Sequence, residues 1–98
     1  MTTHVKNMTS TRSDREVPNQ FVIKTPEGLY FQSYQTVIAF QPFDESQPTL
    51  IDRDNWDYSA TTLKYLKEFL GTGMTRQQIA DELETPRLHN WKTTTQLN

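Results

Sequence analysis

Ninety-eight residues, no cysteine and a net charge of −2 fit a single domain near the lower size limit for a core without staples. The missing cysteines exclude a disulfide framework, a thiolate zinc site and a cysteine nucleophile, and they fit a reducing compartment. Ten basic against twelve acidic residues supply neither the cationic field on which phosphate-backbone binding relies nor the carboxylate density of a duplex mimic. The longest apolar run, Val37-Ile38-Ala39-Phe40, falls far short of the roughly 20 residues of a membrane span. The first residues lack the apolar stretch of a secretory signal, so the expected location is cytosolic.

Residues 1–19 (MTTHVKNMTSTRSDREVPN) hold four scattered apolar residues and read as a disordered polar tail ending at Pro18. Lys6, Arg12 and Arg15 against Asp14 and Glu16 make this tail slightly basic, leaving the body more acidic than the whole. Order is expected from Gln20. Phe21–Lys24 is β-branched and aromatic, and Thr25-Pro26-Glu27-Gly28 has proline and glycine where a type I turn takes them. Leu29–Tyr34 returns antiparallel. The alternation loses phase near Ser33–Gln35, which predicts a kink or break before a strand over Thr36–Gln41. Pro42–Pro48 reads as a loop, and Thr49–Asp52 as a short fourth strand.

From Ser59 the period changes. Leu63, Leu66 and Leu70, widened by Tyr65 and Phe69, form the apolar stripe of a helix whose other side carries Lys64, Lys67 and Glu68. Asp57 or Ser59 suits its start, and Gly71 its left-handed end. Thr75-Arg76-Gln77-Gln78 has the capping-box form, followed by Ile79, Ala80 and Leu83 and stopped by Pro86. Trp91–Leu97 alternates and is threonine-rich, which reads as a last strand returning to the sheet edge.

Several chemistry-bearing patterns fail on their spacing. Asp52-Arg53-Asp54-Asn55-Trp56-Asp57 begins like a calcium loop, but Asp57 stands where glycine is needed and Leu63 where a bidentate glutamate is needed. A turn with helix-capping acids accounts for it. His4 and His89 have no carboxylate at a ligand or triad spacing, and Gly28, Gly71 and Gly73 match no nucleotide-binding loop. Met74–Leu83 resembles the first helix of a helix-turn-helix, yet Glu84 replaces the turn glycine and Pro86 sits where a recognition helix would start. The aromatic cluster Tyr30, Phe31, Tyr34, Trp56, Tyr58 and Tyr65 reads first as core with hydroxyl-bonded tyrosines. A protein-binding patch and a base-stacking surface are its other readings.

Two stretches form a pair. Tyr30-Phe31-Gln32-Ser33-Tyr34-Gln35-Thr36-Val37-Ile38-Ala39 resembles a Y-F-Q-S-Y-x-T-x-I-A signature. Trp56-Asp57-Tyr58-Ser59-Ala60-Thr61-Thr62-Leu63-Lys64-Tyr65, ending Phe69-Leu70-Gly71, resembles W-D-Y-S-x-T-T-x-K-Y-x-x-x-F-L-G. Together they are similar to a family of small uncharacterised proteins carried by phages and mobile elements, over about residues 20–98. The match is weaker over Gln77–Arg87. The resemblance implies genomic context and fold more than mechanism. In physical terms Trp56 is expected under the sheet, and Ser33, Tyr34, Ser59, Thr61 and Thr62 gather hydroxyls where the strand break meets the helix start.

The expected fold is α+β, a small antiparallel sheet of four to five strands packed by one long and one short helix, in one domain over residues 20–98. The expected function is that of a phage-encoded accessory protein in the host cytoplasm. It would act by binding a host or phage protein, as an inhibitor of a host enzyme or defence complex, and not as an enzyme. The partner-binding candidates are Tyr30, Tyr34, Asp57, Tyr58, Ser59, Thr62 and Tyr65, and no catalytic, cofactor or metal residue is assigned. The alternative is a single-stranded nucleic-acid-binding module using exposed aromatics and the basic tail. A third reading is a small enzyme or ligand-binding domain built on the Ser/Thr/Tyr cluster. No membrane partner is expected; pairing with a second copy through an edge strand is left open.

Overall fold

Strand and helix signals set a sheet first and its cover second. The computed structural model describes residues 3–10, 13 and 15–98. Within these, β1 (His4–Thr9), β2 (Glu16–Lys24), β3 (Gly28–Ser33), β4 (Thr36–Pro42), β5 (Thr49–Asp52) and β6 (Trp91–Thr94) form one sheet in sequence order. Between β5 and β6 lie α1 (Ala60–Leu70) and α2 (Arg76–Glu84). The α+β class holds, with three differences from expectation.

The sheet has six strands among the described residues and is mixed: β6 runs parallel to β5, while the other neighbours are antiparallel. Parallel neighbours need a long crossover connection, and the segment with both helices between β5 and β6 supplies it. The helices are 11 and 9 residues long, so the contrast between a long and a short one is slight. Within the stretch read as a mobile leader, residues 4–9 and 16–19 are strand. β1 pairs with β2 from His4↔Lys24 to Asn7↔Phe21. Met8 and Val17 pack against the core, and Asn7 Nδ2 donates to the Val17 carbonyl at 3.1 Å. An edge strand is held by its ladder, so polar composition did not prevent it from forming. Residues 1, 2, 11, 12 and 14 of that leader lie outside the described residues.

The predicted turn at Thr25–Gly28 joins β2 to β3, with the Thr25 N–H donating to the Gly28 carbonyl at 2.9 Å. The expected break after Ser33 is a full reversal. Between β3 and β4 the register steps from Phe31↔Ala39 to Gln32↔Val37, so Ile38 is a bulge residue. A bulge puts two consecutive side chains on nearly one side, and Ile38 and Ala39 are both buried. The phase loss read near Ser33–Gln35 is the reversal itself, and the bulge shifts the alternation a second time within β4.

Helix ends follow their caps. Ser59 Oγ accepts the Thr62 N–H at 3.0 Å, and Gly71 closes α1 at φ 68°. Thr75 and Gln78 complete the reciprocal box of α2. The core lies between the sheet and the helices: Phe31, Ile38, Ala39 and Ile51 meet Leu66, Tyr65 and Ile79, with Trp56 and Trp91 at its margins. No helix among the described residues is long and apolar enough to cross a membrane.

Glu82 ties α2 to β6. Its buried carboxylate accepts the backbone N–H groups of Arg87, Leu88 and His89 at 3.1, 2.8 and 2.8 Å, and His89 stacks on Trp91 at 4.1 Å. Burial pushes this carboxyl up. The N–H groups of Leu88, His89 and Arg87, with the adjacent His89 imidazole, outweigh burial and hold it below its ordinary value of 4.5. A depressed carboxylate stabilises the fold above its ordinary range and ceases to do so as pH falls through the folded value.

Two outcomes are expected. Glu82→Gln lowers the melting temperature at pH 7, and the gap to the wild type narrows as pH is taken below 4.5; thermal melts across pH 3 to 7 check this. At Gly28 an added Cβ would press on the Gln41 carbonyl and lie 2.8 Å from Pro42 Cα. Gly28→Ala therefore destabilises by about 2–3 kcal/mol in urea unfolding, as overpacking against backbone does.

Candidate functional site

Two surfaces stand out, one at the end of the sheet and one across its face. The first is a cleft of about 850 Å³ between the β3–β4 turn and the start of α1. Four of the seven predicted residues line it: Tyr34, Tyr58, Ser59 and Thr62. Of the predicted hydroxyl cluster, Ser33, Ser59 and Thr62 meet at its base and Tyr34 lines it, while Thr61 is exposed and outside it. Ser33 Oγ and Thr62 Oγ1 are 2.9 Å apart, and Ser59 Oγ donates to Thr62 Oγ1 at 3.1 Å. These hydroxyls cap the helix and tie it to the sheet.

The other three predicted residues lie elsewhere. Tyr65 is in the core. Asp57 pairs with the Arg76 guanidinium, which also lies over the Trp56 ring at 5.7 Å, so this carboxylate links the α1 approach to α2. Tyr30 stands on another surface, its ring 4.4 Å from that of Phe40. The calcium-like segment is a turn: Asp52 Oδ1 accepts the N–H groups of Asp54 and Asn55 at 2.9 and 3.1 Å. Asp52 Oδ2 accepts from Asn98 Nδ2 at 2.8 Å. Among the described residues no group of three or more histidine and carboxylate side chains is placed to hold a metal ion.

Sequence reasoning missed the rest of the cleft. Asn19, Gln35, Thr36 and Asn55 contribute amides and a hydroxyl. Asn19 and Tyr34 have φ of 66° and 56°, and the Tyr34 N–H donates to the Asn19 carbonyl at 2.6 Å. Asparagine tolerates this left-handed region, whereas for tyrosine it is a genuine strain. Gln20, which pairs with Ser33 across the ladder, is fully buried with neither amide atom hydrogen-bonded. The one sequence signal for Gln20 is a polar residue heading an apolar run.

The second surface is a register row. Val5, Ile23, Tyr30, Phe40, Leu50 and Lys92 are consecutive partners across all six strands. The neighbouring row, Lys6, Val22, Phe31, Ala39, Ile51 and Thr93, holds the buried centre, and Phe31 stacks on Phe69 of α1 at 5.7 Å. Adjacent rows face opposite sides, so the first lies on the side without helices, and none of its residues belongs to the core cluster. Unbroken runs such as Phe21–Ile23 and Val37–Phe40 carried this signal, since a strand with one wet face would alternate.

Residues 3–85 match the model of a family described as "Family of unknown function (DUF8033)". The matched span runs from β1 to α2 and so includes the stretch read as a leader. No curated protein and no solved structure matches the chain.

The unpaired Gln20 amide costs stability. Gln20→Met, similar in shape and without the polar atoms, is expected to stabilise the protein by about 1–2 kcal/mol in chemical denaturation.

Proposed function

The chain belongs to that family of unknown function, and on the character of its surfaces we propose that it is a non-enzymatic protein that works by docking another protein. The observation that carries this reading is the apolar row on the helix-free face. Five of its six positions are apolar, and its one charge, Lys92, stands on the outermost strand. Interface centres have this character, depleted in charge and rich in aromatic residues. A packed sheet face accepts a second layer at about 10 Å. The non-enzymatic part is supported by the cleft, whose lining carries no histidine, carboxylate or cation.

The motif resemblance supports a phage-encoded accessory protein in the host cytoplasm. Small size, modest acidity and surplus aromatic residues support a host or phage protein as partner, with inhibition of a host enzyme or defence complex as the proposed form of action. A single-stranded nucleic-acid module is the second reading. The paired rings of Tyr30 and Phe40 at 4.4 Å favour it, being a stacking platform of the kind bases use.

The test compares wild type with a Val5→Glu, Tyr30→Lys double variant, both folded by circular dichroism, in capture from host lysate. A stoichiometric partner that the double variant binds at least about tenfold more weakly is the expected result. Retention of nothing, or equal binding by the variant, overturns the reading. Binding of single-stranded DNA or RNA that falls steeply with salt would establish the second reading, and no shift at low salt would remove it.

A further inference from the structure

The cleft at the end of the sheet has a composition that selects its ligand. We propose that it is a saccharide-binding site, taking a neutral mono- or disaccharide. Its volume of about 850 Å³ lies in the range of small-molecule sites, roughly 300–1,000 Å³. A phosphate, carboxylate or ammonium ligand would give up water there without meeting a counter-charge, because no lining side chain is an acid, a cation or an imidazole. A charged group seated against this lining finds no counter-charge, while a neutral polar group needs only hydrogen bonds.

Those hydrogen bonds are on offer. The side chains of Asn19, Tyr34, Gln35, Thr36 and Tyr58 line the cleft and make no side-chain hydrogen bond to another described residue. Amide and hydroxyl groups each both donate and accept, as do the adjacent hydroxyls of a sugar ring. Tyr34 and Tyr58 are 50% and 75% exposed. Their rings are apolar faces at the rim, able to cover the C–H face of a pyranose while their hydroxyls bond outward.

Gln20 is the independent observation. It is fully covered, neither amide atom has a partner, and its sequence neighbours Asn19 and Phe21 and its ladder partner Ser33 all line the cleft. A buried amide with no partner is a rare feature in a native interior. Here it leaves two donors and an acceptor uncommitted next to its ladder partner Ser33, to be engaged by a ligand hydroxyl or by a water seated with it. The left-handed backbone at Asn19 and Tyr34, linked by a 2.6 Å hydrogen bond, holds one wall in place before the ligand arrives. Strain of this type collects at binding sites. Glycosidic hydrolysis takes two carboxyl groups flanking the bond, and the lining has none, so the inferred role is binding without cleavage.

The experiment uses the full ¹⁵N-labelled chain. It is titrated with glucose, galactose, mannose, N-acetylglucosamine, maltose and lactose, and with glucose 6-phosphate, uridine and adenosine as controls. At least one neutral sugar is expected to shift the side-chain amide signals of Asn19, Gln20 and Gln35, with its phosphate ester binding more weakly. Tyr58→Ala, at an exposed position that leaves the fold intact, should weaken that sugar about tenfold. Gln20→Met should weaken it several-fold while raising the melting temperature. Absence of those shifts with all six sugars overturns the proposal, as does equal affinity in Tyr58→Ala and Gln20→Met. Binding of the nucleosides in preference to every sugar would also overturn it.

Discussion

Helices of 11 and 9 residues are too short to cover a six-stranded sheet on both sides, and the distribution of surfaces follows from that shortage. At about 1.5 Å per residue α1 runs for roughly 16 Å, against about 24 Å across six strands spaced about 4.8 Å apart. Both helices pack on one side, over Phe31, Ala39 and Ile51. The opposite row from Val5 to Leu50 has no helix over it although it is apolar: Val5 is exposed, and Ile23, Tyr30, Phe40 and Leu50 are half-buried. Where α1 begins, past its cap at Ser59, the cover stops and the cleft opens. Both candidate surfaces are places that the helical layer does not reach.

What was legible in the residues was whatever local chemistry fixes. Ser59, Gly71 and the Thr75–Gln78 box mark helix ends because a side chain or a left-handed backbone has to satisfy groups left over there. Thr49–Asp52 was read with the bounds it has, since a loop with two prolines delimits it. Strand direction was not legible. Whether β6 lies parallel or antiparallel depends on the path through two helices and not on the alternation of Trp91 and Thr93. The first strand was invisible for a different reason. His4–Thr9 sits at an edge, where pairing comes from backbone groups, and its side chains are free to look like those of a solvated leader.

The predicted site was half assembled for the same reasons. Tyr34, Tyr58, Ser59 and Thr62 come together because the β3–β4 turn and the start of α1 are each locally encoded, and the Ser33–Thr62 contact joins them. Asp57 and Tyr65 were grouped with them by nearness in sequence. Tyr65 lies nearly one turn beyond Thr62 on the same buried face of α1, so it packs in the core while Thr62, at the helix start, reaches the cleft. Asp57 is taken by Arg76, 19 residues away, a pairing that no spacing rule foretells. Gln20 could be recognised only in three dimensions. Its unpaired amide is a property of what surrounds it.

Nearly every contact in the sheet joins strands adjacent along the chain, and the β5–β6 pairing is the exception. Leu50 meets Lys92 only after both helices have been laid down between them, so this loop closes late and at the largest entropic cost. The meander from β1 to β5 can form from short-range contacts without it. Native-state opening should follow the same order in reverse. β6 has four residues and an outer edge, and detaching it withdraws Trp91 from the core margin. Loss of that strand alone would leave the meander with its short-range pairings intact, so the β6 amides are expected to exchange with solvent ahead of those in the central strands.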